Sequence, residues 1–106
     1  MSFFRISPQD AASLMADGAA VVVDIRDEQS FAAGRVPGAR HLSNATLTRM
    51  LAEVEDETPV LVFCYHGISS QPAAQYLVSQ GYTRVYSVDG GFEAWKTRFP
   101  DAIERD

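Results

Sequence analysis

The sequence contains one cysteine, Cys64, among 106 residues. A single cysteine can neither close an internal disulfide nor find a resolving thiol within the chain, so covalent chemistry at Cys64 must finish on an outside acceptor. A chain without disulfides is typical of a reducing compartment, and residues 1–5 lack the charged-then-apolar pattern of a secretory signal. We therefore expect a cytoplasmic protein.

Metal ligands and positive charge are also scarce. Two histidines, His41 and His66, and one cysteine do not form a recognisable ligand set, so we expect no metal site. There is no P-loop or GxGxxG motif, and we expect no cofactor. Nine basic against 14 acidic side chains give a formal net charge of −5, which argues against nucleic-acid partners and anionic membranes.

Long apolar runs are missing as well, since none approaches the roughly 20 residues that a membrane span needs. Hydrophobic residues make up 46% of the chain, an ordinary value for a globular protein. The length is near the usual size of one domain. We expect a single domain over residues 1–106, as a monomer or weak dimer.

Strand-like and helical patterns alternate along the chain, which predicts a mostly parallel sheet with helices on both faces. Capping residues predict three helix starts: Ser7, Asp27, and either Asn44 or Thr46. The residues after Pro100 are polar, and we expect them to be frayed. The predicted strands are 3–6, 19–24, 40–42, 60–64 and 84–88.

Cys64 ends an apolar, β-forming run, and a helix start follows six residues later, with Ser69 or Ser70 as N-cap and Pro72 in the first turn. Loop and helix N–H groups there favour negative charge, and can lower a thiol pKa from roughly 8.5 to about 3.5–7.5. A buried, inert Cys64 is the alternative. The strand–cysteine–loop–helix order favours a nucleophile.

Three other side chains of the loop have more than one interpretation each. His66 can act as a general base, or line the pocket mouth as a donor to an anion; residues two apart in a tight loop seldom align as base and nucleophile, so we favour the second role over the first. It can also be a merely exposed loop residue. Ser69 and Ser70 are helix caps whose hydroxyls can also serve the thiolate.

A low-pKa cysteine among amides suits phosphate ester hydrolysis, arsenate reduction or sulfur transfer through a persulfide. Phosphoryl transfer normally needs an arginine on the equatorial oxygens, and cysteine phosphatases have it six residues after the cysteine, where this chain has Ser70. Sulfur transfer needs only a stabilised thiolate or persulfide. The residues therefore favour sulfur transfer.

Three motifs together resemble the rhodanese family. They are the stretch from Val23-Asp-Ile-Arg-Asp to Val-Pro-Gly-Ala39, the loop Cys64-Tyr-His-Gly-Ile-Ser-Ser70, and Val88-Asp-Gly-Gly-Phe-Glu-Ala-Trp95. The resemblance implies a three-layer α/β/α sandwich with a mostly parallel five-stranded sheet. It also implies an enzyme in which Cys64 takes the outer sulfur of thiosulfate as a persulfide and releases sulfite.

The resemblance implies site residues and partners too. The acceptor would be cyanide in an assay, or a dithiol such as a thioredoxin-like protein. Asp24 and Arg26 would be a structural or loop-bracing ion pair, which we favour over a direct catalytic role. The alternatives are a persulfide carrier loaded by a partner protein and a small cysteine-dependent phosphatase or arsenate reductase. The residues whose amides would form an anion cradle around the sulfur are Tyr65, His66, Gly67, Ile68, Ser69 and Ser70.

Two positions depart from the family pattern. Arg35 replaces the usual histidine after Gly34, which we expect to be a tolerated structural change. Residues 64–72 contain no lysine or arginine and carry Ile68, Gln71 and Pro72 where relatives often have polar or basic side chains. We expect this lack of positive charge to alter turnover and donor preference rather than the type of reaction.

Overall fold

The structure is a computed structural model that describes residues 2–106. Its sheet has the strand order β1-β5-β4-β2-β3, and all four strand pairings within the described residues are parallel. The predicted parallel sheet is therefore confirmed, with β4 at its centre. The strands are β1 (Phe4–Ile6), β2 (Val21–Asp24), β3 (Arg40–His41), β4 (Val60–Phe63) and β5 (Val85–Val88).

Helices cover both faces of the sheet. On one face α3 and α4 pack against β4 through Met50 and Leu77; on the other, α1 and α5 pack through Ala11 and Trp95. This is the expected three-layer α/β/α sandwich. No helix in residues 2–106 is long and apolar enough to cross a membrane. The helices are α1 (Pro8–Ala16), α2 (Glu28–Ala33), α3 (Asn44–Glu53), α4 (Ser70–Ser79) and α5 (Gly91–Arg98).

Strand β4 is completely buried because both of its faces are covered. Val60 and Val62 belong to the α3/α4 core, whereas Leu61 and Phe63 belong to the α1/α5 core. Phe63 packs edge-on against Trp95, with ring centroids 5.7 Å apart. A strand held on both sides in this way gives the residue after it a well-defined position.

Two of the predicted helix caps are confirmed and one is wrong. The Ser7 hydroxyl accepts the N–H of Asp10 at 3.0 Å, and the Asp27 carboxylate accepts that of Ser30 at 3.1 Å. Helix α3, however, has Ser43 as its N-cap. The Thr46 hydroxyl accepts the Ser43 N–H at 2.9 Å, so it acts as the third helical residue of a capping box rather than as the cap.

The prediction of a frayed C-terminal tail is also wrong. Glu104 forms an antiparallel bridge with Arg35, through backbone hydrogen bonds of 2.9 and 2.8 Å. The Arg35 guanidinium lies 2.9 Å from the Asp106 carboxylate, and the Asp106 N–H donates to the Ala32 carbonyl at 3.1 Å. Arg35 therefore connects the tail to the end of α2.

Asp24 and Arg26 form a buried ion pair at the carboxyl end of β2. The Arg26 Nη2 lies 2.7 Å from Asp24 Oδ2 and donates to the Gly34 carbonyl at 2.6 Å. The guanidinium also lies over the Phe92 ring, 4.2 Å from its centroid. The pair thus joins β2 to the end of α2 and to α5, beside the edge of the sheet where Cys64 lies.

Candidate active site

Cys64 follows β4 directly and lies at the carboxyl edge of the sheet, where open α/β sheets form their sites. Its thiol is almost buried, with 4% of the residue exposed. Residues 64–69 curl around the sulfur and lead into α4, which begins at Ser70. The fold therefore presents the thiol to a loop and to a helix N-terminus, as the sequence predicts.

Three hydrogen-bonding groups converge on Cys64 Sγ. The N–H of Gly67 lies 3.1 Å from the sulfur, and the N–H and hydroxyl of Ser70 each lie 3.2 Å from it. The His66 N–H also helps to lower the pKa of the thiol. We call these four groups the anion cradle. Of the six residues whose amides were expected to form it, Gly67 and Ser70 donate to the sulfur at hydrogen-bond distance, and His66 contributes to lowering its pKa.

The cradle changes the acidity of the thiol. Burial raises the pKa of Cys64, but hydrogen bonds from the Ser70 hydroxyl and from the Ser70, Gly67 and His66 N–H groups outweigh it, so the pKa lies below its ordinary value. A thiolate is the nucleophilic form of cysteine. These bonds distinguish Cys64 from an inert core cysteine, because an apolar pocket would have raised its pKa.

Two glycines let the loop pack backbone-to-backbone against the start of α5. Gly67 and Gly91 both have positive φ, +82° and +59°. A Cβ at Gly67 would lie 2.6 Å from the Gly90 nitrogen, and one at Gly91 would lie 2.5 Å from the Cys64 carbonyl oxygen. The N–H of Phe92 donates to that same carbonyl at 2.8 Å. Helix α5 thereby holds the loop carbonyls, while the loop N–H groups face the sulfur.

The two serines at the start of α4 differ. Ser69 is exposed and is the N-cap residue, although its side chain makes no capping hydrogen bond. Ser70 is completely buried, and its hydroxyl contacts Cys64 Sγ and, at 2.8 Å, the hydroxyl of Ser87 on β5. Ser87 was missed by the sequence analysis. Its signal is alternation along β5, which puts it on the same face as the buried Val85.

Tyr65 points away from the sulfur and toward α2. Its hydroxyl hydrogen-bonds to the Ser30 hydroxyl at 2.7 Å and to the Asp27 carboxylate. The Tyr65 bond is the largest of several that lower the pKa of Asp27 to about 2. Tyr65 therefore attaches the cysteine loop to α2, a contact that the sequence did not indicate.

His66 and Ile68 project from the loop. The His66 side chain is exposed, with its ring 6.4 Å from the Tyr65 ring, and within residues 2–106 it has no hydrogen bond to Cys64. This geometry does not favour a general-base role. Ile68 is 73% exposed at the rim of the loop. Within the described chain, no three His, Cys, Asp or Glu side chains are grouped to hold a metal ion.

A cavity of about 610 Å³ lies on the far side of Tyr65, between α2, α5 and the C-terminal tail. Arg26, Tyr65, Phe92 and Lys96 line it, and Cys64 does not. The Arg26 guanidinium in its wall is already bonded to Asp24 and Gly34. The hydrogen bonds that lower a pKa converge on Cys64 and lie outside this cavity.

This geometry defines a class of protein. It is an α/β sandwich with a cysteine in an amide cradle at the carboxyl edge of the sheet. The rhodanese-like domain family matches residues 7–98. A protein named thiosulfate sulfurtransferase GlpE from Pseudomonas entomophila (strain L48) is 54% identical over 98 residues, which are 92% of this chain and 89% of that protein. The chain belongs to the rhodanese-like domain family.

Two further comparisons agree with this assignment. A protein named thiosulfate sulfurtransferase GlpE from Stutzerimonas stutzeri (strain A1501) is 48% identical over 106 residues, covering 100% of this chain and 97% of its own. The solution structure of a rhodanese-like domain from an Anabaena protein superposes with a TM-score of 0.83 over 96% of this chain and 79% of that one. At 23% identity, this last similarity concerns the fold alone.

Substituting Gly91 tests whether the close approach of α5 forms the cradle. Gly91→Ala adds a Cβ against the Cys64 carbonyl, so we expect the loop to move and alkylation of Cys64 at neutral pH to slow by about tenfold, as the thiolate loses hydrogen bonds. Gly38→Ala is the matched control, because Gly38 also has positive φ but open space around it. Strain should cost both variants about 1–3 kcal/mol of unfolding free energy. Equal alkylation rates in the two would contradict this account.

Proposed function

We propose that this chain is a thiosulfate sulfurtransferase with Cys64 as nucleophile and persulfide carrier. The observation that carries the proposal is the anion cradle, in which Gly67 and Ser70 donate to a sulfur whose pKa is lowered. The two relatives named thiosulfate sulfurtransferase support it through their similarity over nearly the whole chain. Asp24 and Arg26 support the site by joining β2 to α2 and α5 rather than by contacting the sulfur.

The reaction has two half-reactions at the same sulfur. In the first, the Cys64 thiolate attacks the outer sulfur of thiosulfate; the new S–S bond forms as the S–S bond of thiosulfate breaks, and sulfite leaves with the electron pair. In the second, a thiophilic acceptor attacks the outer sulfur of the persulfide, and Cys64 leaves as a thiolate. The cradle stabilises the anion at both stages, because its donors are fixed before the reaction begins.

Position 70 decides between sulfur transfer and phosphoryl transfer. A cysteine phosphatase needs a guanidinium there, whereas here a buried serine hydroxyl contacts the sulfur. Arg26 is no substitute, since it is bonded to Asp24 and Gly34 and lies over Phe92. This arrangement favours a sulfur anion over a phosphate dianion as the species that the site stabilises.

The rim of the site favours a protein as the physiological acceptor. Ile68 and Tyr65 are 73% and 40% exposed on the loop around an otherwise buried thiol. An exposed apolar side chain such as Ile68, at the rim of a reactive sulfur, suits contact with the surface around another protein's thiol. We propose a dithiol acceptor, such as a thioredoxin-like protein, and a cytoplasmic location in which free thiols persist.

Mass spectrometry tests the covalent step. After incubation with thiosulfate, the wild-type protein should gain the mass of one sulfur atom and release one equivalent of sulfite, whereas Cys64→Ser should gain nothing. Wild-type protein that stays unmodified by thiosulfate would overturn the proposal. If it accepts sulfur from a protein persulfide but not from thiosulfate, it is the carrier module instead.

Ile68 offers a test of how the donor is captured. Thiosulfate is an anion, and the loop provides N–H groups but no positively charged side chain, so we expect weak donor binding. Ile68→Lys should lower the KM for thiosulfate a few-fold, equivalent to about 0.5–1 kcal/mol for an exposed charge. Ile68→Gln is the neutral control and should leave KM near its wild-type value. If Ile68→Lys leaves KM unchanged as well, donor binding is not limited by the charge of the loop.

A further inference from the structure

Ser87 and Ser70 form a buried chain of hydroxyls that ends at the reactive sulfur. Ser87 lies on β5, in register with Val62 of β4, and is 1% exposed. Its Oγ lies 2.8 Å from Ser70 Oγ, which in turn lies 3.2 Å from Cys64 Sγ. Within residues 2–106, the Ser87 hydroxyl has no hydrogen-bond partner other than Ser70. The row of hydroxyls therefore ends at Ser87 on one side and bonds to the sulfur on the other.

Counting the hydroxyl and thiol hydrogens shows which ionisation state of Cys64 the Ser70 and Ser87 hydroxyls fit. With Cys64 as a thiolate there are two hydrogens, and both find acceptors: Ser87 donates to Ser70, and Ser70 donates to the sulfur. With a neutral thiol there are three hydrogens. One of the three, either the Ser87 hydrogen or the thiol hydrogen, then has no acceptor among these three groups. Leaving a buried donor unpaired is unfavourable, so the two serines favour the thiolate.

We propose that Ser87 is a positioning residue that directs the Ser70 hydroxyl toward Cys64 and thereby holds the sulfur in its ionised form. Ser87 does not touch the sulfur, and acts through Ser70. Each hydrogen bond in such a chain polarises the next, which strengthens the final bond to the anion. The consequence for persulfide formation rests on the proposed sulfurtransferase function.

Asp27 at the start of α2 accepts hydrogen bonds from Tyr65 and Ser30, and other charged groups on the surrounding elements form ion pairs with one another. Tyr65 and His66 are the titratable neighbours of Cys64 within the loop itself, and the first turn of α4 contains no acidic residue. Burial and hydrogen bonds are the causes that set the pKa of Cys64, and the hydroxyls of Ser70 and Ser87 are a part of this network that a side-chain substitution can change. The neighbouring pairs are Asp24 with Arg26, Asp89 with Arg5, and Glu93 with Lys96.

The pH dependence of Cys64 alkylation by iodoacetamide, without any sulfur donor, tests the proposal. Ser87→Ala should raise the midpoint by about half a pH unit, the size expected from one weakened hydrogen bond. The same substitution in a Ser70→Ala background should add no further shift, since its route to the sulfur is gone. The control is Tyr82→Phe, which removes a buried hydroxyl bonded to the Met50 and Val54 carbonyls and should leave the midpoint unchanged.

A second pair of variants covers the case in which Ser87→Ala fails to fold. Threonine and valine have the same shape and both suit a strand, so they differ at position 87 in the hydroxyl alone. Ser87→Thr should keep a midpoint near the wild-type value, and Ser87→Val should raise it. A wild-type midpoint in folded Ser87→Ala or Ser87→Val would overturn the proposal, as would an equal shift with and without the Ser70 hydroxyl.

Kinetics separate this inference from the proposed function. In Ser87→Ala, kcat for sulfite release should fall while KM for thiosulfate stays the same, because the donor does not touch Ser87. If wild-type protein releases no sulfite, the sulfurtransferase proposal fails, yet the alkylation midpoints still decide the role of Ser87. If sulfite release is normal and the midpoints do not differ, the sulfurtransferase remains and the role of Ser87 is disproved.

Discussion

The convergence of backbone N–H groups on Cys64 Sγ is the interaction on which the site depends, and the rest of the structure supports it. It requires a sulfur in a fixed place, which β4 provides because all four of its residues are completely buried. It also requires a loop whose carbonyls are bonded elsewhere, and the N–H groups of Phe92 and Glu93 at the start of α5 bond those of Cys64 and Tyr65. Both requirements are met by the core of the sandwich rather than by the loop itself.

The composition of the cradle decides which anion it suits. Its donors are amides and one hydroxyl, with no guanidinium, so it stabilises a compact charge on sulfur better than the spread charge of a phosphoryl group. The cradle contains no lysine or arginine, and the protein has a net charge of −5. The anionic sulfur donor is therefore attracted by the dipoles of N–H and O–H groups. The buried hydroxyls of Ser70 and Ser87 add to the support of the thiolate, since they form a hydrogen-bonded row that ends at the sulfur.

Local patterns predicted much of this arrangement, and contacts distant in sequence account for the rest. The apolar run before Cys64 and the helix start after it were enough to place the thiol, because both features lie within ten residues. The prediction of a frayed C-terminal tail is wrong because Glu104 pairs with Arg35, almost seventy positions away. The Ser87–Ser70 contact and the close approach of Gly91 to the Cys64 carbonyl were not predicted for the same reason. The first joins β5 to the start of α4, and the second joins α5 to the loop after β4.

An amide NMR titration tests the central claim most directly. If the charge on Cys64 Sγ is held by the N–H groups of His66, Gly67 and Ser70, their proton resonances should move together as pH rises, with one common midpoint below about 8.5, the value of a free thiol. The same movement should be absent in Cys64→Ser, which keeps every other residue of the loop. Amide proton resonances that do not shift when Cys64 ionises, or a midpoint at the ordinary thiol value, would contradict the account.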